Sequence, residues 1–256
     1  MGGKKRLREI AIRVLRELEK KRLLSPKVEI SILDKKDVIS PLGWILYRLI
    51  SMGQWDEVER ILCTKPGEIV IYKKDSEDLF EHPHVKLYHE YLFYVWSPEQ
   101  TDISILLPCT GSKPYRESVI HRTMLSYANS ISRLGVSVEV YVISEPMLVV
   151  PMRYDKLYPF ANYEFSPKNM EEYEKRKFSD LLARILPKII INSKRVIAFM
   201  PNHHASILRR AISKIDNPQR IPIWPYGRLA FQSARRLYEH ILSQILGEPK
   251  GSIRSQ

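Results

Sequence analysis

Pro108-Cys109 is followed after three residues by Lys113-Pro114-Tyr115, after two more by Ser118, and after another two by His121. A thiol, an amine, a phenol, a hydroxyl and an imidazole therefore share one short segment. This is a set able to attack an electrophilic carbon and move the protons involved. The apolar spacing that begins near Ser118 predicts a helix. The partial positive charge at its start favours the thiolate of Cys109, below a free value of about 8.5, and the neutral imidazole of His121. Nucleophile and base can then coexist, which makes Cys109, Lys113 and His121 the catalytic candidates. Taken singly, Cys109 also suits a small buried hydrophobe and His121 a surface histidine, so their grouping carries the argument. Ser118 suits a helix cap or a substrate ligand better than a nucleophile, because no second base stands beside it.

Such a segment needs a scaffold. Residues 1–97 read as a smaller α+β region opened by a basic amphipathic helix, with Leu7, Ile10, Ala11, Val14, Leu15 and Leu18 on one face. A short strand at 28–33, helices at 42–51 and 55–62, a strand at 68–72 and an aromatic-rich helix at 84–96 follow. Ser97-Pro98-Glu99-Gln100 breaks the pattern. Over residues 101–247 strands at 103–107, 136–143, 196–200 and 221–224 alternate with helices at 118–134, 169–186, 205–215 and 229–246, leaving a flexible tail at 248–256. This alternation predicts an α/β fold, a three-layer domain with a four-stranded parallel sheet. The Pro- and Tyr-rich segment 145–167 reads as a long functional loop. Ligands of open parallel sheets bind beyond the carboxyl ends of the strands. Those ends are Pro108-Cys109, Ser144-Glu145-Pro146, Asn202-His203-His204 and Trp224-Pro225-Tyr226.

Composition narrows the class. The chain of 256 residues is 44% apolar and 27% charged, enough for a real core. Its longest apolar stretches fall far short of the roughly 20 residues of a membrane span. Behind Met1-Gly2-Gly3-Lys4-Lys5-Arg6 there is no apolar stretch, and position 6 lacks the Ser or Thr of a myristoylation signal, so neither secretion nor lipid anchoring is expected. Two cysteines, Cys63 and Cys109, fit a reducing compartment and a cytoplasmic location, with Cys63 read as structural. The His203-His204 pair, with His82 and His84, lacks H-E-x-x-H or paired-cysteine spacing, and no metal or intrinsic cofactor is expected.

The net charge of +12 is concentrated at the ends: residues 1–27 hold ten Lys/Arg against three Glu, and residues 205–256 hold nine against three acids. Clustering of this kind suits a polyphosphate partner, whose counterions are released on binding, although a solvated helix face gives the same pattern. Lys4, Lys5, Arg6, Arg209, Arg210, Arg235 and Arg236 are the RNA-binding candidates.

The segment 108–121 resembles the P-C-x-x-x-K-P-Y-x-x-S-x-x-H signature of the archaeosine synthase family. His82-Pro83 with Tyr88-His89-Glu90, Ser144-Glu145-Pro146 with Val150-Pro151, and Tyr158-Pro159 with Asn162-Tyr163 are similar to the same family, so the resemblance covers roughly residues 80–245. It implies a tRNA-modifying enzyme of archaea that acts on 7-cyano-7-deazaguanine in the D-arm. Nitrogen from lysine, or from glutamine or ammonia, would be added to the nitrile, and a radical SAM partner would complete the lysine route. The family's central domain is similar to the uracil-DNA-glycosylase fold, although no G-x-D-P-Y motif is present. Full-length members also carry a transglycosylase-like front and a C-terminal PUA domain, so a tRNA-guanine transglycosylase or PUA-containing partner is a further expectation. Glu164 stands where the family has Asp.

With that substrate, Pro108, Tyr115, Ser118, Ser144, Glu145, Asn162, Asn202 and His203 become the substrate-binding candidates, Asn202 and His203 for the base edge or the donor amino acid. Either Cys109 adds to the nitrile first, with Lys113 or His121 donating the proton, or the amine attacks directly and Cys109 shapes the pocket. A non-catalytic tRNA-binding subunit of an archaeosine-forming complex is the alternative from another class. An enzyme of free nucleobases would leave the basic ends unexplained.

Overall fold

Local signals start the helices of the first part of the chain. The computed structural model describes residues 9–16, 33–34, 38–72, 78–165, 170–215 and 221–247. Lys4, Lys5, Arg6, the tail and nearly all of the strand expected at 28–33 lie outside the described residues. Residues 9–16 are helical, and β1 (Leu33–Asp34) pairs antiparallel with β2 (Val38–Ile39). Helix α1 (Pro41–Ser51) begins where Ser40 accepts from the Gly43 N–H at 3.0 Å and where proline's missing donor is no loss. Helix α2 (Trp55–Cys63) and the short strand β3 (Ile71–Tyr72) follow. The single helix expected at 84–96 is instead α3 (Pro83–Glu90) running into a π-helical turn, Tyr91–Val95. Lys188 Nζ holds that turn by donating to the carbonyls of Leu92, Phe93 and Trp96 at 2.7, 3.1 and 2.9 Å.

Beyond residue 100 the chain builds a doubly wound sheet. Strands β4 (Thr101–Pro108), β5 (Val138–Ser144), β6 (Leu148–Pro151), β8 (Ser193–Pro201) and β9 (Ile223–Tyr226) lie in the order β6-β5-β4-β8-β9. The sheet thus has five strands rather than four, and the fifth, β6, runs antiparallel to β5 along one edge. It emerges from the segment expected to be a loop, because a tight reversal at 145–147 returns the apolar run Leu148–Pro151 onto β5. Leu148 takes φ 67° to make that return, a left-handed conformation costing a non-glycine residue roughly 1–2 kcal/mol. The same segment supplies β7 (Tyr163–Glu164), which pairs in parallel with β3.

Helices α4 (Val119–Ser132) and α7 (Ala230–Gly247) pack together, as do α5 (Glu172–Ile191) and α6 (Asn202–Ile212). Right-handed crossovers place these pairs on opposite faces. Helix α5 outruns its expected end at 186 and passes through Pro187. Ile185, Leu186, Ile189 and Ile190 are buried there, and that packing outweighs a local proline cost of about 3 kcal/mol. One continuous core joins residues on both sides of position 97, Trp44 and Tyr91 with Leu106 and Phe199.

Candidate active site

Register brings the carboxyl ends of the parallel strands to one edge: Pro108 pairs with Ile143, Leu106 with Ala198, and Pro201 with Tyr226. Strands β4 and β8 are neighbours whose following helices leave to opposite faces. The crevice between their ends is where an open α/β sheet binds its ligand.

Cys109 stands at that point. Its thiol donates to Glu145 Oε2 at 3.2 Å, and its sulfur lies 3.4 Å from His204 Nε2. The three side chains come from the ends of β4, β5 and β8, and Glu145 is only 1% exposed. Burial and the Glu145 carboxylate push the thiol up from its ordinary value, whereas the helix argument predicted a lowering. The physical reason is burial: loss of water around the thiolate, together with the neighbouring carboxylate charge, dominates at this position. Burial raises Glu145 to about 7, which makes it a carboxylate able to take the thiol's proton near neutrality. Burial also lowers His204 to about 4. The neutral ring can donate from Nε2 to sulfur, while its buried Nδ1 has no partner among the described residues.

Lys113 lies on the same rim. Its Nζ donates to the Thr110 carbonyl at 2.6 Å and sits 4.5 and 4.6 Å from the ring centroids of Tyr163 and Tyr115. Burial lowers it to about 8, and the negative charge of Cys109 and Glu145 opposes that shift. Beneath it Tyr115 donates to Ser144 Oγ at 2.9 Å and meets the Tyr163 hydroxyl at 2.6 Å, while Ser144 and Tyr163 also bond each other. This buried hydroxyl cluster fixes the two rings on which the ammonium rests.

The other candidates are placed as follows. His121 is not the imidazole at the sulfur: it is buried, lowered to about 4, and its Nε2 bonds the Pro108 carbonyl at 2.9 Å, which braces the end of β4 from behind. Ser118 is the residue before α4, with no side-chain capping bond. Asn202 and His203 are exposed at the start of α6, the His203 ring 4.0 Å from that of His204. Asn162 is engaged elsewhere, its amide donating to the carbonyls of Lys65 and Glu68 at 2.7 and 2.8 Å. Arg210 is paired with Glu172 at 2.5 Å and Arg235 with Glu239 at 2.8 Å, whereas Arg209 and Arg236 are exposed. Sequence reasoning missed His204 as the sulfur's neighbour and Tyr163 as half of the lysine cradle. Tyr226, half-buried at the end of β9 and pushed up to about 12, completes the rim.

Cys109, Glu145 and His204 also present one ligand atom each within 4.8 Å of one another, a donor set that suits zinc. The same trio suits nucleophilic catalysis, since sulfur has a carboxylate that can accept its proton and an imidazole that can steady its charge.

The fold and site together define a doubly wound α/β domain with a thiol, a carboxylate and an imidazole grouped at the ends of its central strands. Residues 85–224, more than half of the chain, match the family described as "Domain of unknown function (DUF5591)", and the chain belongs to that family. Among curated proteins it is 24% identical over 235 residues to "Archaeosine synthase subunit alpha" of Thermoplasma acidophilum, covering 82% of this chain and 43% of that protein. It is 25% identical over 181 residues to "Archaeosine synthase" of Methanocaldococcus jannaschii, covering 70% of this chain and 29% of that one. A protein of Methanosarcina acetivorans, also "Archaeosine synthase subunit alpha", is 27% identical over 121 residues, 47% of this chain and 19% of its own length. The chain thus spans less than half the length of these relatives. A crystal structure titled "AF0587, a protein of unknown function" aligns with TM-score 0.44 at 23% identity over 65% of this chain and 52% of that one. No helix among the described residues is long and apolar enough to cross a membrane.

Proposed function

We propose that the chain adds an amine to the nitrile of 7-cyano-7-deazaguanine in tRNA, at Cys109. The observation that carries this reading is the contact of the Cys109 thiol with Glu145 at 3.2 Å and His204 at 3.4 Å, with Lys113 near enough for its charge to act on the sulfur. A nitrile carbon needs a nucleophile on one side and a proton for its nitrogen on the other. Glu145 takes the thiol proton and sulfur bonds to the nitrile carbon. One C–N π pair moves to nitrogen, which takes a proton from the Lys113 ammonium, giving a thioimide. The amine then attacks that carbon and surrenders a proton to Lys113. The C–S bond breaks as Glu145 returns its proton to sulfur. The sum is addition of N–H across the nitrile with all three side chains restored. His204, neutral, donates to the sulfur while it carries charge.

Archaeosine formation, the tRNA substrate and a lysine or glutamine-derived donor enter this reading from the relatives' names and the 108–121 signature. "Subunit alpha" in two of those names supports a second chain in the complex, for which a radical SAM or PUA-containing protein is the candidate. A cytoplasmic setting and a relation to the uracil-DNA-glycosylase fold belong to the same proposal. The latter is supported by the parallel order β5-β4-β8-β9, where the strand third in sequence lies beside the first.

Incubation with tRNA carrying 7-cyano-7-deazaguanine and lysine, or glutamine and ammonia, should give a nucleoside whose mass includes the donor. Cys109→Ala should abolish this product and Cys109→Ser should leave a trace. Full turnover by Cys109→Ala would remove the covalent route, and the absence of product with every donor and partner would favour the non-catalytic subunit.

A further inference from the structure

The two helical faces treat their charges differently. On the α5–α6 face most cations are matched by acids: Arg210 and Lys175 reach Glu172 at 2.5 and 3.9 Å, and Lys214 meets Asp180, whereas Arg184 lies over the Phe93 ring and Arg209 is exposed. Helix α4 holds no acidic residue, and α7 holds one, Glu239, already paired with Arg235. Arg122, Arg133 and Arg236 are exposed on or at the ends of these two helices and make no ion pair among the described residues. The α4–α7 face therefore carries the larger share of arginines without an ion pair among the described residues.

Shape and position add to charge. A groove of about 470 Å³ runs along α4, lined by Arg116, Arg122, Ser126, Asn129 and Arg133, with Glu117 as its one acid. Arg116 is anchored at the groove by the buried Asp155, which accepts from its Nε at 2.6 Å. Arg122 and Arg133 stand roughly 16 Å apart along the helix, several nucleotide steps. Between α4 and α7 the rings of Tyr127 and Tyr238 stack at 4.4 Å and 10°. Both helices begin at the sheet edge that carries Cys109, since α4 follows β4 and α7 follows β9. At that end Phe231 is 52% exposed, an aromatic face open to a base.

We infer that the α4–α7 face docks the phosphate backbone of the RNA substrate, with the Arg122–Arg133 groove holding the strand that leads to the Cys109 crevice. This rests on the proposed function for the identity of the RNA, and it moves the docking surface away from Arg209 and Arg210. Guanidinium groups suit phosphate because they offer paired donors and release counterions on contact.

The test is binding of a tRNA transcript that lacks the nitrile base, followed by fluorescence anisotropy over a series of KCl concentrations. For Arg122→Glu/Arg133→Glu the slope of log K against log salt should become shallower by roughly two, about 0.9 per lost duplex phosphate contact. Arg209→Glu, on the opposite face, should keep the parental slope. Arg122→Gln/Arg133→Gln serves if the charge-reversed protein loses its circular dichroism. An unchanged slope in the α4 variants, as an acidic protein partner on this face would give, overturns the inference. So does an equal loss in Arg209→Glu, or tRNA binding without salt dependence. Because this RNA cannot react, a failure of the chemistry proposed at Cys109 would leave the binding result intact.

Discussion

The pH dependence of the reaction puts the catalytic assignment at risk most directly. The first step needs Glu145 ionised, to take the thiol proton, and Lys113 protonated, to supply the nitrile nitrogen. Burial holds the former at about 7 and the latter at about 8, so the profile of kcat/KM should be a narrow bell. At about pH 7.5 each group is in its required form in roughly three quarters of molecules, and just over half of the enzyme is competent. The rate should fall roughly sixfold by pH 6, where Glu145 is protonated, and by a similar factor at pH 9, where Lys113 is neutral. These limbs belong to the interacting pair and its thiol rather than to either group alone. Two substitutions separate the limbs. Lys113→Arg keeps a cation that does not titrate below pH 12, so the alkaline limb from Lys113 should vanish. Glu145→Gln cannot take the proton and should lose on the order of 10²–10⁴ in rate together with the acid limb. The assay is single-turnover mass spectrometry of the modified nucleoside across pH. An alkaline limb still near 8 in Lys113→Arg, or an acid limb still near 7 in Glu145→Gln, would refute the roles given to these side chains.

Stability should follow pH through the buried imidazoles. His84, His89, His121 and His204 are each lowered by burial from 6.5 to about 4, so between those values the unfolded chain binds protons that the folded chain refuses. Stability is therefore lost as pH falls, by up to ~5 kcal/mol per unit for four such groups, and a Tm that stays level from pH 7 to 5 would contradict this. Glu145 acts in the opposite sense, because a carboxyl raised from 4.5 to about 7 favours the folded state at low pH and opposes it as pH rises. Glu145→Gln should thus unfold at higher urea than the parent above pH 7, by on the order of 3 kcal/mol, and show no gain below pH 4.5. Asn162→Ala removes both bonds to the Lys65–Glu68 turn and should cost on the order of 2 kcal/mol in urea titration while leaving kcat and KM unchanged. A raised KM would return Asn162 to the substrate site.

The pattern of legible and illegible features has a physical cause. Strands β4, β5, β8 and β9 are visible as short apolar runs, and the helices between them as 3.6-residue periodicities. The strand β6 was hidden because it is four residues long, follows a reversal without glycine or asparagine, and depends on Leu148 adopting φ 67°. The grouping of Cys109 with Lys113 was readable because it is local. Its imidazole was not, since His121 is close in sequence whereas His204 arrives 95 residues later. A signal for His204 did exist: positions 204, 208 and 211 share one helical face, and Leu208 and Ala211 on that face are buried. A histidine continuing a buried stripe at the first turn of a helix is placed toward the strand ends, while His203, one residue earlier, lies off that stripe and is exposed. What no periodicity could supply was that β8 would lie beside β4. That adjacency alone brings His204 to the sulfur, and the same arrangement sends α4 and α6 to opposite faces, with Cys109 at the point where they part.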